Sequence, residues 1–395
     1  MTVSDEVEAK GEFTNPASVH LPALDGVRGL AIALVLVVHC YNRGPDPKFS
    51  GSALGKLADQ LLRFGWSGVE LFFVLSGLLV TSILLRRKRQ NKPLGPFYAR
   101  RLARIVPAYL AVTIGVAALG FLSINSLVDP VTREARSLWP YYALYLNNYF
   151  GFLGIASSDA EKALGPLWSV ATEMQYYLIW PLLVNYLSER KLNLLLPFLL
   201  AANIGFRSLM INTGASPGDI YVASLTHLDG ILVGSMLALH WKNLGNFARI
   251  YAGRALALTG LLLVGLFIWA GTTDALAPVV QRFGYTLIAG FYALFLLIAV
   301  AGGRVSQMLS FAPLCQLGKY SYFIYLIHWP VLLVLDHLVP DRGIFAYLAY
   351  LFLVTMGLMA VGAASWKFFE NPIIAWNLAR EVRSGQSMAQ QAGSK

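Results

Sequence analysis

The chain has 395 residues, of which 56% are hydrophobic and only 13% charged. A soluble globular chain carries about 25% charged residues, so this composition excludes an ordinary soluble domain and points to the membrane class. The net charge of +10 does not mark a nucleic-acid binder, because Lys and Arg gather at the ends of apolar runs, as topology anchors do.

Residues 1–20 are polar and acidic, unlike a secretory leader, and are expected to form a cytosolic tail. The first span follows at about 23–42, and the stretch 21–41, LPALDGVRGLAIALVLVVHCY, carries Asp25, Arg28 and His39. A charge at membrane depth costs about 2.5–3.5 kcal/mol, so these residues are expected to face a polar interior. Helical geometry brings Arg28 and His39 to nearly the same face, about 16 Å apart along the axis. Asp25 lies one turn before Arg28 on that side. Cys40 is no catalytic partner for His39, since adjacent helical residues point about 100° apart. With Cys315 also inside an apolar run, no disulfide or Cys-based metal site is expected, and no metal.

A polar stretch with several Gly and Pro (42–63) leads to a second span at about 66–85, with Glu70 near its outer end and Ser76 within it. The densest basic segment comes next, RRKRQNK at 86–92 followed by FYARRLARIVPAY. Arg101 and Arg104 are spaced i, i+3 and share a helix face, with Pro107 one turn on. A guanidinium fork matches two phosphate oxygens, so these arginines suit a phosphate ligand, although a basic cluster beside a span is also an ordinary lipid anchor. The third span is about 105–123. Residues 139–154 are aromatic but interrupted by Asn147 and Asn148, and read as an interfacial or re-entrant segment.

Further spans are expected at about 167–187, 192–211, 222–241, 254–271, 283–301, 320–338 and 344–368, and a polar cytosolic tail at 373–395. Placing the 86–104 loop in the cytosol puts most of the 31 Lys and Arg on that side. The expectation is an all-α, polytopic protein of the cell (inner) membrane, with about ten transmembrane helices over 21–372 and both termini cytosolic.

Trp168 and Ser169 open the fourth span. Glu173 lies one turn from Ser169 and one turn from Tyr176 and Tyr177, so a polar patch is expected there. Glu70 and Glu173 are the two carboxylates able to orient His39 or hold a hydroxyl, with Glu173 expected to be the more buried. His39 suits general-base chemistry, because a neutral imidazole titrates near physiological pH. His328, two residues before Pro330, and His227 with Asp229 are second-tier residues that read more as structural than catalytic. No HExxH, P-loop or GxGxxG motif occurs.

Taken in order, these stretches resemble the acyltransferase-3 family of integral-membrane O-acyltransferases. LPALDGVRGLAIALVLVVH is similar to that family's first-span signature, GVELFFVLSGLLVT to its second, and ARRLARIVPAY to its Arg-Arg-x-x-Arg-Ile-x-Pro motif. PLWSVATEMQYYLIWPLL resembles its Trp-Ser-x-x-x-Glu segment, and YSYFIYLIHWPV with FFENP, which contains Glu370, its closing pair. The resemblance implies transfer of an acyl group, most often acetyl, from acyl-CoA to a hydroxyl of a glycan or other alcohol, with no bound cofactor. It implies His39 as general base, Glu173 as an assisting carboxylate, and Arg28, Arg101 and Arg104 as donor-binding residues. Two departures stand out. Relatives often carry an arginine just before the Asp of span six, where this chain has Thr226-His227-Leu228-Asp229. The segment after Asn371 is too short for the esterase-like domain of some relatives, so a stand-alone form is expected. The rival reading is a proton-coupled transporter using His39, Glu173 and His328, against which the lack of internal repeats counts.

Overall fold

Inside a bilayer a backbone polar group finds partners only within the chain, which makes the helix the default spanning element. The computed structural model describes residues 20–47, 49, 51–122, 138–155, 164–335 and 343–393, and among them there is no β-strand. The expected N-terminal tail falls outside them, apart from His20. Twelve helices carry the fold: α1 (Pro22–Arg43), α2 (Ala53–Arg63), α3 (Gly68–Arg89), α4 (Gly95–Leu122), α5 (Trp168–Tyr186), α6 (Glu189–Asn212), α7 (Asp229–His240), α8 (Ala252–Ala270), α9 (Tyr285–Val300), α10 (Ala312–Leu335), α11 (Ile344–Ser365) and α12 (Asn371–Gly393). Short helices such as Pro217–Val222 and Gly303–Leu309 join them.

The chain is an all-α polytopic membrane protein. Among the described residues, seven helices are long and apolar enough to cross a membrane, and they coincide with seven of the expected spans. The other three expected spans are also helical, as α5, α7 and α10, but α7 has only 12 residues and α10 carries Lys319, His328 and Pro330. Of these, α5 and α10 carry polar residues that line the interior, among them Ser169, Glu173, Ser321 and Tyr325. Exposed Leu178, Ile179, Leu182 and Tyr186 show the opposite, lipid-side face of α5.

Two stretches contain helices that the sequence does not mark, and a third, 139–154, is broken as expected. The 42–63 segment contains α2, whose Leu54, Leu57 and Leu61 form an exposed apolar stripe, as an interfacial helix does. Residues 139–154 form no continuous span: a helical turn at 138–143 is followed by a 3-10 turn at Asn147–Tyr149. Asn147 and Asn148 lie in that 3-10 turn, both buried in protein, and Asn148 donates to Ser224 at 2.8 Å. Within the C-terminal segment residues 373–393 are helical, since α11 runs through a π-helical turn (Trp366–Glu370) into α12, which packs on α4.

With lipid as apolar as the helices themselves, association in the membrane depends on close packing, which small residues permit. The α1–α10 contact is built on this. A Cβ on Gly318 would lie 1.8 Å from the Asp25 carbonyl oxygen, and one on Gly29 would lie 2.1 Å from that of Leu314. The α3–α7 contact repeats the device with Gly77 and Gly234, each against a carbonyl of the other helix. The glycines of the Asp-Gly-x-Arg-Gly motif therefore serve contact between helices. Gly318→Ala should cost about 1–3 kcal/mol or more, as overpacking does, and lower the thermal midpoint of the purified protein. Gly357→Ala, on α11 with nothing within 4 Å, should leave the midpoint unchanged.

Candidate active site

The stripe expected on α1 opens into two cavities rather than one. Arg28 reaches the first, of about 880 Å³, together with Ser76, Arg101, Arg104, Ser169, Glu173 and Tyr177. His39 reaches the second, of about 840 Å³, whose other walls include Trp66, Tyr142, Asn147, Trp168, Tyr221 and Trp329. Val69 and Tyr325 line both and form the partition between them. Tyr325 is fixed there by donating to the Pro166 carbonyl at 2.8 Å and by a 2.6 Å bond with the Ser169 hydroxyl.

In the first cavity the i, i+3 spacing of Arg101 and Arg104 turns both inward from α4. Arg28 is held by Asp25 at 2.6 Å, across one helical turn, and Asp25 also meets His20 at 2.7 Å. Among the described residues neither Arg101 nor Arg104 forms an ion pair; Arg101 lies instead over the Tyr177 ring, 5.3 Å from its centroid. Glu173 accepts hydrogen bonds from Ser76 and Tyr177. Glu370 is buried behind the arginines and accepts from Ser365 at 3.0 Å. A cavity holding three guanidinium groups and one half-buried carboxylate suits an anionic ligand bearing phosphates.

The second cavity is organised by a pair of histidines from α1 and α10. His328 Nδ1 lies 2.6 Å from the Tyr325 carbonyl, which can only accept, so this nitrogen carries the proton. In the neutral ring the His328 Nε2 is then an acceptor, and His39 Nδ1, 2.8 Å away, donates to it. The remaining lone pair of His39 is therefore on Nε2. The Trp329 ring stands edge-on to His39 with centroids 4.8 Å apart and limits its rotation. Pro330 frees the carbonyl of Leu326, one residue beyond the one His328 uses. This tautomer follows from the hydrogen-bond partners.

Several sequence-level expectations change here. Neither carboxylate orients His39; the orienting residue is His328, read from sequence as more structural than catalytic. Glu70 is fully buried, whereas Glu173 is only half-buried, the reverse of the expected order. Glu70 pairs with His227 inside an aromatic enclosure: His227 stacks on Tyr285 at 4.1 Å and on Trp168 at 5.3 Å. Tyr176 points away from Glu173, bonding Thr81 at 3.1 Å and Ser235 at 3.0 Å. The arginine absent before Asp229 has a counterpart from α6, since Arg207 pairs with Asp229 at 2.5 Å and 3.1 Å with both side chains fully buried. Asn147 was noticed only as a helix interruption, yet its side-chain carbonyl is buried without a partner on the wall of the second cavity.

Residues 21–366 match the family model described as an acyltransferase domain. Over 373 residues the chain is 28% identical to the O-acetyltransferase OatA of Staphylococcus aureus, covering 90% of this chain and 57% of that protein. It is 27% identical over 332 residues to the peptidoglycan O-acetyltransferase OatA of Listeria monocytogenes, covering 79% of this chain and 49% of the other. The chain thus spans about half the length of the curated relatives it matches. No solved structure matches it at a significant level.

The Arg207–Asp229 pair generates a prediction with two signs. Arg207→Leu alone strands a buried carboxylate and should destabilise the protein by about 3–5 kcal/mol. Adding Asp229→Leu should recover much of that loss. Thermal unfolding of the purified single and double variants reads both effects.

Proposed function

The chain belongs to the acyltransferase-3 family, and from that premise we propose that it moves an acyl group, most often acetyl, from acyl-CoA to a hydroxyl of a carbohydrate acceptor. The observation that carries this reading is the pair of cavities with a shared wall. One is lined by arginines suited to phosphates, and the other exposes a histidine whose free lone pair is fixed on Nε2. Arg28 and His39 stand about 16 Å apart along α1, a separation on the order of the pantetheine arm that separates the phosphates of CoA from its thioester. Arg28, Arg101 and Arg104 hold the phosphates, and the acyl end reaches toward the partition at Val69 and Tyr325.

The chemistry is one acyl transfer. His39 Nε2 takes the proton of the acceptor hydroxyl while its oxygen attacks the thioester carbonyl. The imidazolium keeps its Nδ1 proton on His328, which acts as the positioning residue. Collapse of the tetrahedral adduct breaks the carbon–sulfur bond, and the departing CoA thiolate recovers the proton from His39. Ester and free CoA result, with no other reactant. Glu173, tied to Ser76 and Tyr177 in the arginine-lined cavity, assists on the donor side by fixing Tyr177 beneath Arg101. It does so without touching His39.

The aromatic walls of the second cavity support a carbohydrate acceptor, because flat apolar rings with polar edges suit the faces and hydroxyls of a sugar. The Asn147 carbonyl supplies a buried acceptor for one such hydroxyl. Two relatives whose names specify O-acetyltransferase activity, one of them on peptidoglycan, support the same class. Family membership leaves the transporter reading without support. We place the protein in the cell membrane with both termini cytosolic, so that donor enters from the cytosol and acceptor from the far side.

The test uses purified full-length protein in lipid with radiolabelled acetyl-CoA. His39→Ala should bind donor normally and lose about 10²–10⁴ in rate, as loss of a general base does. His328→Ala should lose roughly 10²-fold through misorientation of His39, with the donor KM unchanged. Arg101→Ala/Arg104→Ala should fail to bind donor. Transfer retained by His39→Ala, or no binding of any short acyl-CoA by folded wild type, would overturn the reading.

A further inference from the structure

Arg100 and Arg101 are neighbours, about 100° apart on α4, and face different cavities. Arg101 joins the donor cavity, while Arg100 enters a crevice of about 770 Å³ between the end of α3, the turn into α4, and α12. Four cations line this crevice, Arg86, Arg87, Lys92 and Arg100, against the single carboxylate of Glu381. Arg100 Nη1 donates to both oxygens of Glu381, at 3.0 and 2.9 Å. Arg87 is only 8% exposed; one of its amines bonds the Pro93 carbonyl, and its buried Nε–H has no partner among the described residues. A buried N–H of a charged group left without an acceptor is costly. With four positive charges facing one negative charge, the crevice has the composition of an anion site.

The geometry points to a ligand class. A carboxylate presents a pair of oxygens to a guanidinium much as a phosphate does. We propose that this crevice binds a phosphate group, and that Glu381 is an internal stand-in for it, displaced when the ligand arrives. Because Glu381 is carried on α12, exchange of carboxylate for phosphate loosens the hold of α12 on α4, the helix that carries Arg101 and Arg104. The phosphate has two sources: the headgroup of an anionic phospholipid, or a peripheral phosphate of a nucleotide-bearing donor. The second source rests on the acyl-CoA reading above; the first does not.

Binding is measured without turnover, on the full chain in phosphatidylcholine nanodiscs. One arm titrates phosphatidylglycerol; the other compares acetyl-CoA with 3′-dephospho-acetyl-CoA. Arg100→Gln should weaken the responding probe roughly tenfold, as loss of a charge-assisted contact implies. Glu381→Gln should tighten it by about as much, because the internal competitor is gone. This opposite sign cannot come from general damage to the fold. A response confined to phosphatidylglycerol assigns the site to the headgroup. A response to acetyl-CoA that vanishes with the 3′-phosphate assigns it to the donor. Arg101→Ala/Arg104→Ala serves as the control, losing acetyl-CoA while keeping phosphatidylglycerol if the two sites are separate. Equal binding of both probes by wild type, Arg100→Gln and Glu381→Gln overturns the proposal, as does weaker binding by Glu381→Gln.

Discussion

The close approach of α1 to α10 is the constraint on which the rest depends. Two helices in lipid gain little from burying apolar surface against each other and must find contact through packing. Gly29 and Gly318 let the two backbones meet where any side chain would collide with a carbonyl. Once that distance is set, His39 falls within 2.8 Å of His328. The ring hydrogen bonds then fix the tautomer. At the other end of the same helix Asp25 holds Arg28 at the arginine-lined cavity. One packing contact therefore sets the positions of both chemical groups along the path.

The interior is polar, but its charges are distributed unevenly. Away from the cavities they are matched: Glu70 with His227, and Arg207 with Asp229, each pair fully buried. A mismatched charge in that medium is costly, so these pairs support the architecture without approaching a ligand. Inside the arginine-lined cavity the balance shifts to positive, with Arg101 and Arg104 in no ion pair with a described carboxylate. The contrast separates structural ionic groups from those presented to a ligand. Glu70, read from the chain as able to orient His39, is of the first kind: it is buried against His227 and lines neither cavity.

Legibility in the sequence followed the range of the interaction. The inward face of Arg28 and His39, the pairing of Asp25 with Arg28, and the shared face of Arg101 and Arg104 are consequences of helical periodicity over a few residues. All were legible. The His39–His328 bond joins residues 289 apart in the chain, and no local pattern encodes that approach. Nothing local to Arg207 marks its partner, Asp229, which lies on the next long helix. Tyr176 and Tyr177 are both one turn from Glu173, so spacing could not separate the one that bonds it from the one that turns away. The polar linker at 42–63 hid an amphipathic helix because its apolar residues are too few for a span but sufficient for an interfacial stripe.

The Arg207–Asp229 pair has a consequence for how the chain is made. Its partners stand 22 residues apart, an interval of roughly one to a few seconds of synthesis. Throughout that interval α6 carries a guanidinium with no counter-charge, and a lone arginine at depth opposes release of a helix into lipid. Only when the segment opening α7 emerges does the cation gain its carboxylate. Pairing therefore ties the two helices together: the α6 cation is neutralised only once α7 is present.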